Sequence, residues 1–207
     1  MEQIKILNII NRWGYLNKEE LSLLLNKEAE AINSLLKYLV SKKLIRIDKL
    51  TRKNYYMLSS LGNQKLGQGN KIIKINYNEL THQNLLIKWL CQETDIISYQ
   101  TEKELKAEGH LIKDVWGNTK SKQGYPDLLV HYENKDMIIE LERTRKSKDK
   151  FKLKLNNLRS YLLQNIHILW LVPNENMRKF VDEQIKAYNW KLEQHHIEIF
   201  NNFWLKL

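Results

Sequence analysis

Apolar residues recur at helical spacing in three successive segments at the start of the chain. The first segment ends at Trp13, the second follows Asn17, and the third covers residues 29–40. Asn17 and Glu20 have the spacing of a capping box, in which each side chain binds the other residue's backbone N–H, so a helix is expected to begin there. The pattern therefore predicts three helices.

The hydrophobic period changes from helical to alternating after residue 43. Residues 44–48 alternate as a strand does, residues 49–54 form a polar tip, and residues 55–58 are a second apolar strand. A short helix is expected over residues 60–66. Three helices followed by a hairpin is the order of a winged helix-turn-helix, so residues 1–67 are predicted to be such a domain.

The polar face of the third predicted helix and the hairpin carry the candidate DNA contacts. Asn33, Ser34 and Lys37 point away from the apolar face, as residues that reach base edges in the major groove do. Six cations surround the hairpin, where they would meet phosphates: Lys42, Lys43, Arg46, Lys49, Arg52 and Lys53. Winged helices also serve as protein-interaction or dimerisation modules, and that alternative stays open.

Net positive charge is concentrated in the first 75 residues, which include the predicted winged helix. The formal net charge of the 207 residues is +10, and residues 1–75 hold 14 Lys and Arg against 6 Asp and Glu, a net charge of +8. This asymmetry favours a polyanionic partner, namely double-stranded DNA, although solubility alone would also explain it. The single cysteine, Cys91, excludes an intramolecular disulfide framework and a multi-cysteine zinc site. Without a long apolar run or a signal-peptide pattern, we expect a cytoplasmic protein with no membrane partner.

The second half of the chain alternates between helical and strand patterns. Residues 68–78 are predicted to be a connector and residues 79–207 a second domain. Its predicted elements are a helix over 80–93, a strand over 96–99, a helical turn over 101–107, strands over 127–132 and 137–142, a helix over 147–164, a strand over 166–172, a helix over 175–190 and a strand over 196–200. This order predicts a mixed α/β sheet covered by helices.

Acidic residues fall at one end of the predicted hairpin. Asp127 opens one strand, and Glu140 and Glu142 share one side of the next strand. A turn near residues 134–135 would pair position 127 roughly with position 142. Such a carboxylate cluster suits Mg²⁺ or Mn²⁺, with Asp127 and Glu140 as ligands. The alternative is that the acids form ion pairs with nearby cations: Arg143, Arg145 or Lys148.

These residues resemble the signature of PD-(D/E)XK nucleases. Tyr125-Pro126-Asp127 matches its Pro-Asp element, and Glu140-Leu141-Glu142 follows thirteen residues later. The resemblance implies a restriction-endonuclease-like α/β domain with Asp127, Glu140 and Glu142 as catalytic residues and Glu102 as an additional upstream acid. Glu142 stands where the motif has lysine, as it does in some active restriction endonucleases. Lys146 and Lys148 are candidates for a relocated cation.

The whole chain is similar to the replication-relaxation proteins of plasmids and other mobile elements, which join a winged helix to a nuclease-like domain. The matching residues are His82, Asn84, Tyr99 to Glu102, Pro126, Asp127, Glu140, Glu142 to Thr144, Lys154 and Tyr161. The resemblance implies a DNA-binding accessory of plasmid replication or mobilisation, of the relaxosome type. A relaxase or replication initiator is then the expected partner.

Two functions remain open from the sequence. In the first, the nuclease-like domain of a DNA-binding accessory protein binds DNA or a partner without robust cleavage. In the second, the protein is a Mg²⁺-dependent DNA endonuclease targeted by its winged helix. The absence of the motif lysine favours the first. Cations between residues 143 and 159, Lys146 and Lys148 among them, would hold a phosphate backbone near the acids or simply be a solvated surface. An exposed aromatic tail at residues 200–204 would indicate a homodimer.

Overall fold

The chain divides into two compact units. The computed structural model describes residues 2–49, 53–69, 73–108 and 124–200. The first unit is Met1–Gln92 and the second is Glu93–Leu207. The sequence-based boundaries at residues 67 and 79 differ from this division in one helix, Leu80–Gln92, which lies in the first unit. Its Asn84 donates a hydrogen bond of 3.1 Å to Oε1 of Glu20.

The first unit has the element order of a winged helix-turn-helix. Its elements are α1 (Glu2–Trp13), β1 (Tyr15–Asn17), α2 (Lys18–Leu25), α3 (Ala29–Ser41), β2 (Ile45–Asp48), β3 (Tyr55–Leu58), α4 (Ser60–Lys65) and α5 (Leu80–Gln92). The strands form an antiparallel sheet in the order β1-β3-β2. The third helix and the hairpin after it therefore occupy the places that the sequence predicts for a recognition helix and a wing.

Local sequence explains where α2 begins. Oδ1 of Asn17 accepts the backbone N–H of Glu20, and Oε2 of Glu20 accepts the backbone N–H of Asn17, both at 2.9 Å. This confirms the predicted capping box. The strand β1 just before it was not predicted, because three residues are too few to show an alternating pattern; it forms by pairing with β3, with Tyr15 opposite Met57.

The second unit has a mixed α/β fold. Its elements are β4 (Ser98–Thr101), α6 (Glu102–Ala107), β5 (Leu128–His131), β6 (Asp136–Leu141), α7 (Lys148–Leu163), β7 (His167–Val172), α8 (Glu175–Tyr188) and β8 (His195–Ile199). Within the described ranges these strands form one sheet in the order β4-β5-β6-β7-β8. The β4-β5-β6 part is antiparallel and the β6-β7-β8 part is parallel. The predicted fold class is confirmed in its general form, since a unit with the element order of a winged helix-turn-helix is followed by a mixed α/β unit.

The register of the β5–β6 hairpin corrects the predicted pairing of the acids. Leu128 lies opposite Ile139 and His131 opposite Asp136, and the backbone N–H of Tyr132 donates to the carbonyl of Lys135 at 2.9 Å. Continued by one residue, this register places position 127 opposite position 140, not position 142. The centre of the predicted turn was one residue too late. Moving the centre of a hairpin turn by one residue changes the partner of each strand residue by two positions.

The helix α7 packs on the face of this sheet that carries the acids. Its buried Phe151, Leu155 and Leu158 belong to one apolar cluster with Ile138 on β6 and Trp170 on β7. Side chains alternate between the two faces along β6, so Glu140 lies on the same face as Ile138. The Glu140 carboxylate therefore lies on the face of the sheet that α7 covers.

The described helices are short and carry charged residues. The longest of them, α7, has 16 residues and carries several lysines. None of the helices that the structure describes is long and apolar enough to cross a membrane.

Candidate acidic site and DNA-binding surfaces

Asp127 is held between two neighbouring parts of the second unit. Its Oδ2 accepts the backbone N–H of Leu141 on β6 at 2.8 Å. Its backbone carbonyl accepts the N–H of Glu102, the first residue of α6, at 3.1 Å. The residue is thus fixed by a side-chain bond to β6 and by a main-chain bond to the start of α6.

Glu140 and Glu142 are positioned by the parallel pairing of β6 with β7. Glu140 lies opposite Trp170, and the N–H of Glu142 donates to the carbonyl of Leu171 at 2.9 Å. The exposed fractions of the two residues are 0% and 1%. Two buried carboxylates two residues apart require a cation or protons to compensate them.

Lysine side chains provide that compensation. Nζ of Lys154 on α7 lies 2.6 Å from Oε1 of Glu142 and also contacts Oε2 of Glu140. Nζ of Lys146 lies 2.9 Å from the same Oε1 of Glu142. The Lys154 ammonium also lies 5.6 Å from the centre of the Trp170 ring, within cation–π range. Lys154 therefore links both glutamates, whereas Lys146 contacts Glu142.

Burial and the neighbouring opposite charge have opposing effects on the pKa values of Glu140 and Lys154. Burial raises the pKa of Glu140 to about 8, the neighbouring Lys154 opposes this rise, and the Asp127 charge adds to it. Burial lowers the pKa of Lys154, but attraction to Glu140, Asp127 and Glu142 outweighs it, so that this pKa lies well above its ordinary value. The lysine is therefore charged at neutral pH, and Glu140 takes up a proton more readily than an ordinary glutamate does.

Oε1 of Glu140 and the hydroxyl of Tyr161 are buried oxygens of the site without a hydrogen-bond partner among the described residues. Tyr161 is on α7, and burial together with the nearby Tyr125 and Glu140 raises its pKa to about 12. A buried carboxylate oxygen without a partner is costly, since it has lost its hydration. It is a natural place for a ligand that supplies positive charge.

The structure brings together three of the predicted catalytic residues, Asp127, Glu140 and Glu142. The Glu102 side chain is half exposed and forms an ion pair with Lys106 on α6, although its backbone adjoins Asp127. Among the described residues, no group of three or more His, Cys, Asp or Glu side chains has the arrangement of a metal site. Metal binding by Asp127 and Glu140 stays a prediction.

One of the two cations named from the sequence, Lys146, contacts the site, and Lys154 is a further cation that the site contains. Lys146 does contact Glu142, but Lys148 is exposed at the first position of α7. Sequence reasoning named Lys154 among the residues that resemble the replication-relaxation proteins but did not assign it a role in the site. A signal was present, because Lys154 is spaced three residues after Phe151 and four before Leu158, on the apolar face of its helix.

The predicted DNA contacts of the first unit lie largely at its surface. On α3, Ser34 and Lys37 are exposed and Asn33 is half-buried. Around the hairpin, the exposed cations are Lys42, Lys43, Arg46 and Lys49, and Lys53 is half-buried. Arg52 lies outside the described residues. The exposed cations extend from the end of α3 to the tip of the wing.

Arg46 has a structural contact that the sequence did not reveal. Its guanidinium donates a hydrogen bond of 2.5 Å to the carbonyl of Ile73 in the predicted connector. Residues 73–80 pack along the winged-helix sheet, where Ile73 and Ile75 contact the cluster of Tyr15, Tyr55 and Met57. The connector is therefore part of the first unit, and Arg46 helps to hold it.

Among the described residues, other cations in and near α7 do not contact the acids of the site. The guanidinium of Arg145 lies 4.7 Å from the centre of the Phe180 ring, and that of Arg159 lies 4.3 Å from the Trp190 ring. Lys148, Lys150 and Lys152 are exposed. The arginines pack against aromatic rings, so the three lysines are the better candidates for phosphate contacts.

Comparisons with known proteins give little beyond these observations. No protein-family model matches the sequence, and no curated protein matches it. Among solved structures, the small subunit of the heterodimeric restriction endonuclease R.BspD6I is similar at 16% identity and a TM-score of 0.34, over 61% of this chain and 64% of that subunit. The chain thus aligns with less than two thirds of the subunit's length. Strand order and direction, and not this likeness, define the fold described above.

Proposed function

We propose that this protein is a DNA endonuclease that binds duplex DNA through its winged helix and cuts phosphodiester bonds at the Asp127–Glu140 site with Mg²⁺ or Mn²⁺. The observation that carries the proposal is Oε1 of Glu140, a buried carboxylate oxygen without a hydrogen-bond partner among the described residues. Asp127 lies nearby, since its Oδ2 accepts the backbone N–H of Leu141, the residue after Glu140. The winged helix supplies affinity for DNA, and the acidic site supplies the chemistry.

The donor set fits a hard divalent cation. Mg²⁺ commonly takes one or two carboxylates and completes its coordination with water and substrate phosphate, so Asp127 and Glu140 suffice as protein ligands. When bound, the ion would lower the pKa of a coordinated water and stabilise charge on the phosphate. Glu142 is less suited to be a ligand, because its Oε1 is already shared by Lys146 and Lys154.

The proposed reaction needs no other reactant. Hydrolysis forms a P–O bond from the water oxygen and breaks the P–O bond to the leaving sugar oxygen. The water loses one proton and the leaving oxygen gains one. The chain's own residues hold the reacting groups: Asp127 is fixed by its bond to Leu141, and Glu140 by its place in the sheet opposite Trp170.

A second candidate is a DNA-binding accessory of plasmid or mobile-element replication or mobilisation, of the relaxosome type, that does not cleave. The observation that favours it is the contact of Lys154 with Glu140, together with the raised pKa of that carboxyl, since both oppose metal binding. In this role the second unit would bind DNA or a partner such as a relaxase or replication initiator. Either candidate would act on cytoplasmic DNA, alone or as a homodimer.

Metal binding and cleavage can be measured separately on the full chain. We expect Mn²⁺ to raise the melting temperature by mass action and the variant Asp127→Asn to abolish the shift. We also expect the protein to nick or linearise supercoiled plasmid with Mn²⁺, and Glu140→Gln to lose this activity. The matched control is Asp136→Asn, at the far end of the same strand, where the carboxylate pairs with His131.

The outcomes separate the two candidates. A metal-dependent shift with cleavage that both site variants lose supports the endonuclease. DNA binding without cleavage and without a metal shift contradicts it and supports the accessory role. Equal cleavage by wild type and Glu140→Gln would show a contaminating nuclease and would also contradict the proposal.

A further inference from the structure

The position of the motif lysine is occupied by a buried glutamate with two lysine partners. Glu142 is 1% exposed, and its Oε1 lies 2.9 Å from Nζ of Lys146 and 2.6 Å from Nζ of Lys154. Lys146 follows in the loop after β6, whereas Lys154 projects from α7. The two lysines differ in burial, with exposed side-chain fractions of 39% and 17%.

Packing alone does not explain a charged group at position 154. The neighbouring positions on this face of α7, Phe151, Leu155 and Leu158, are apolar and fully buried or nearly so. A buried ion pair is in general no more stable than well-packed apolar residues of similar volume. Position 154 nevertheless carries an ammonium that contacts two buried carboxylates, which points to a functional role for this lysine.

The geometry gives Lys154 what a phosphate-binding cation needs. Its Nζ contacts Glu140, one of the two proposed metal ligands, so the ammonium adjoins the place where a scissile phosphate would bind. The Trp170 ring, 5.6 Å away, limits where the ammonium can move. A lysine acts on phosphate as a point charge, and its effect depends on position and not on the element from which it comes.

We propose that Lys154 is the catalytic cation of this site, contacting the scissile phosphate, and that Glu142 is the positioning residue that holds it beside Glu140. The inference rests on the proposed endonuclease function and assigns the task of the missing motif lysine to a residue of α7. Lys154 contributes charge and takes no proton from the reaction. Lys146, which contacts Glu142 from the more exposed side, supports Glu142.

The first test removes the cation. We expect Lys154→Met to lower the kcat of Mn²⁺-dependent plasmid cleavage at least 100-fold, as the loss of one electrostatic stabiliser of a transition state does. Lys154→Arg keeps the charge and should retain more activity than Lys154→Met. Lys186→Met, which removes an exposed lysine on α8 that pairs with Asp182, is the control and should stay within about threefold of wild type. Since the first unit binds the DNA, KM should change little in any of them.

The second test exchanges the partners. The variant E142K/K154E puts the ammonium directly after β6 and the carboxylate on α7, so that the ion pair is kept with its direction reversed. We expect it to be more stable to urea than either single variant and at least tenfold more active than K154E. Glu142→Gln should lower kcat while the KM for DNA stays the same, since it loosens Lys154 without removing it.

Stability and DNA affinity provide readouts besides activity. If Lys154→Met is too unstable to purify, E142Q/K154M removes one charge of each sign and tests the same loss of the cation. The dissociation constant for duplex DNA should stay within about twofold in all variants. The Mn²⁺-induced rise in melting temperature should persist in Lys154→Met, because Asp127 and Glu140 are intact.

The outcomes distinguish this inference from the function on which it rests. Cleavage that is lost in Asp127→Asn but unchanged in Lys154→Met would overturn the role of Lys154 alone. An exchange variant no more stable and no more active than the single variants would overturn the role of Glu142. A wild-type protein that neither binds Mn²⁺ nor cleaves DNA would overturn both the function and the inference.

Discussion

Gly124 lies directly against the side chain of Asn157 on α7. A Cβ atom at residue 124 would lie 2.1 Å from Nδ2 and 2.5 Å from Cβ of Asn157, and the backbone φ of Gly124 is +108°. Both the close approach and the positive φ require glycine. Asp127 follows three residues later, so this contact helps to set where the strand β5 begins and where the first carboxylate of the site lies.

Replacing Gly124 should therefore disturb both stability and the acidic site. We expect Gly124→Ala to lower the free energy of unfolding by about 1–3 kcal/mol, since it adds steric overlap and backbone strain. The urea midpoint measures this loss. Gly69→Ala is the control, because a Cβ there would meet nothing within 4 Å. Equal midpoints for the two variants would contradict the prediction.

The exposed cations of the first unit should contribute more to DNA affinity than those of the second unit. We expect the triple variant of Lys37, Lys42 and Lys43 to alanine to weaken duplex binding, with a salt slope smaller by about 0.9 for each phosphate that the protein no longer neutralises. Fluorescence anisotropy at several salt concentrations measures both. A matched triple variant removes Lys148, Lys150 and Lys152. A smaller effect of the second triple would place most of the affinity on the winged helix, and unchanged binding by the first would contradict that assignment.

Arg159 should act mainly in packing, because its guanidinium lies over the Trp190 ring. We expect Arg159→Ala to lower the free energy of unfolding by about 1 kcal/mol, since it removes the cation–π interaction and the packing of the arginine stem. Its effect on DNA affinity should be smaller than that of Lys152→Ala, which removes an exposed cation of the same helix. Denaturant unfolding and DNA titration of both variants measure this. The opposite ranking would show that Arg159 contacts DNA.

The stability of the second unit should fall in mild acid because of His195. Nδ1 of His195 accepts a hydrogen bond of 3.1 Å from Nε1 of Trp170. Burial, and then the charge of His196, lowers the pKa of His195 to about 4. Below about pH 6.5 the unfolded chain binds this proton and the folded protein does not, so the stability present above pH 6.5 is lost as the pH falls towards 4.

The variant His195→Gln tests this relationship. Glutamine keeps an acceptor near Trp170 but does not titrate, so the free energy of unfolding should fall less between pH 7 and pH 4.5 than it does in wild type. Urea unfolding at a series of pH values gives both profiles. Parallel profiles for the variant and wild type would contradict the prediction.

Much of the fold could be predicted because its signals are local. The capping box of Asn17 and Glu20 involves residues three apart, and the apolar stripes of α3 and α7 repeat every three or four residues. The alternation of strands and helices after residue 93 likewise indicates a mixed sheet. The strand β1 escaped prediction because its formation depends on β3, about forty residues away.

The sequence by itself determined the element order, the basic character of the first unit and the identity of three acids near one end of a hairpin. Only the tertiary structure decided which acids face each other and which cation joins them. The pairing of Asp127 with position 140 depends on where a four-residue turn is centred, and a shift of one residue changes every partner by two. Lys154 reaches Glu140 and Glu142 because α7 packs on β6 and β7. A separation of twelve to fourteen residues along the sequence does not predict that contact.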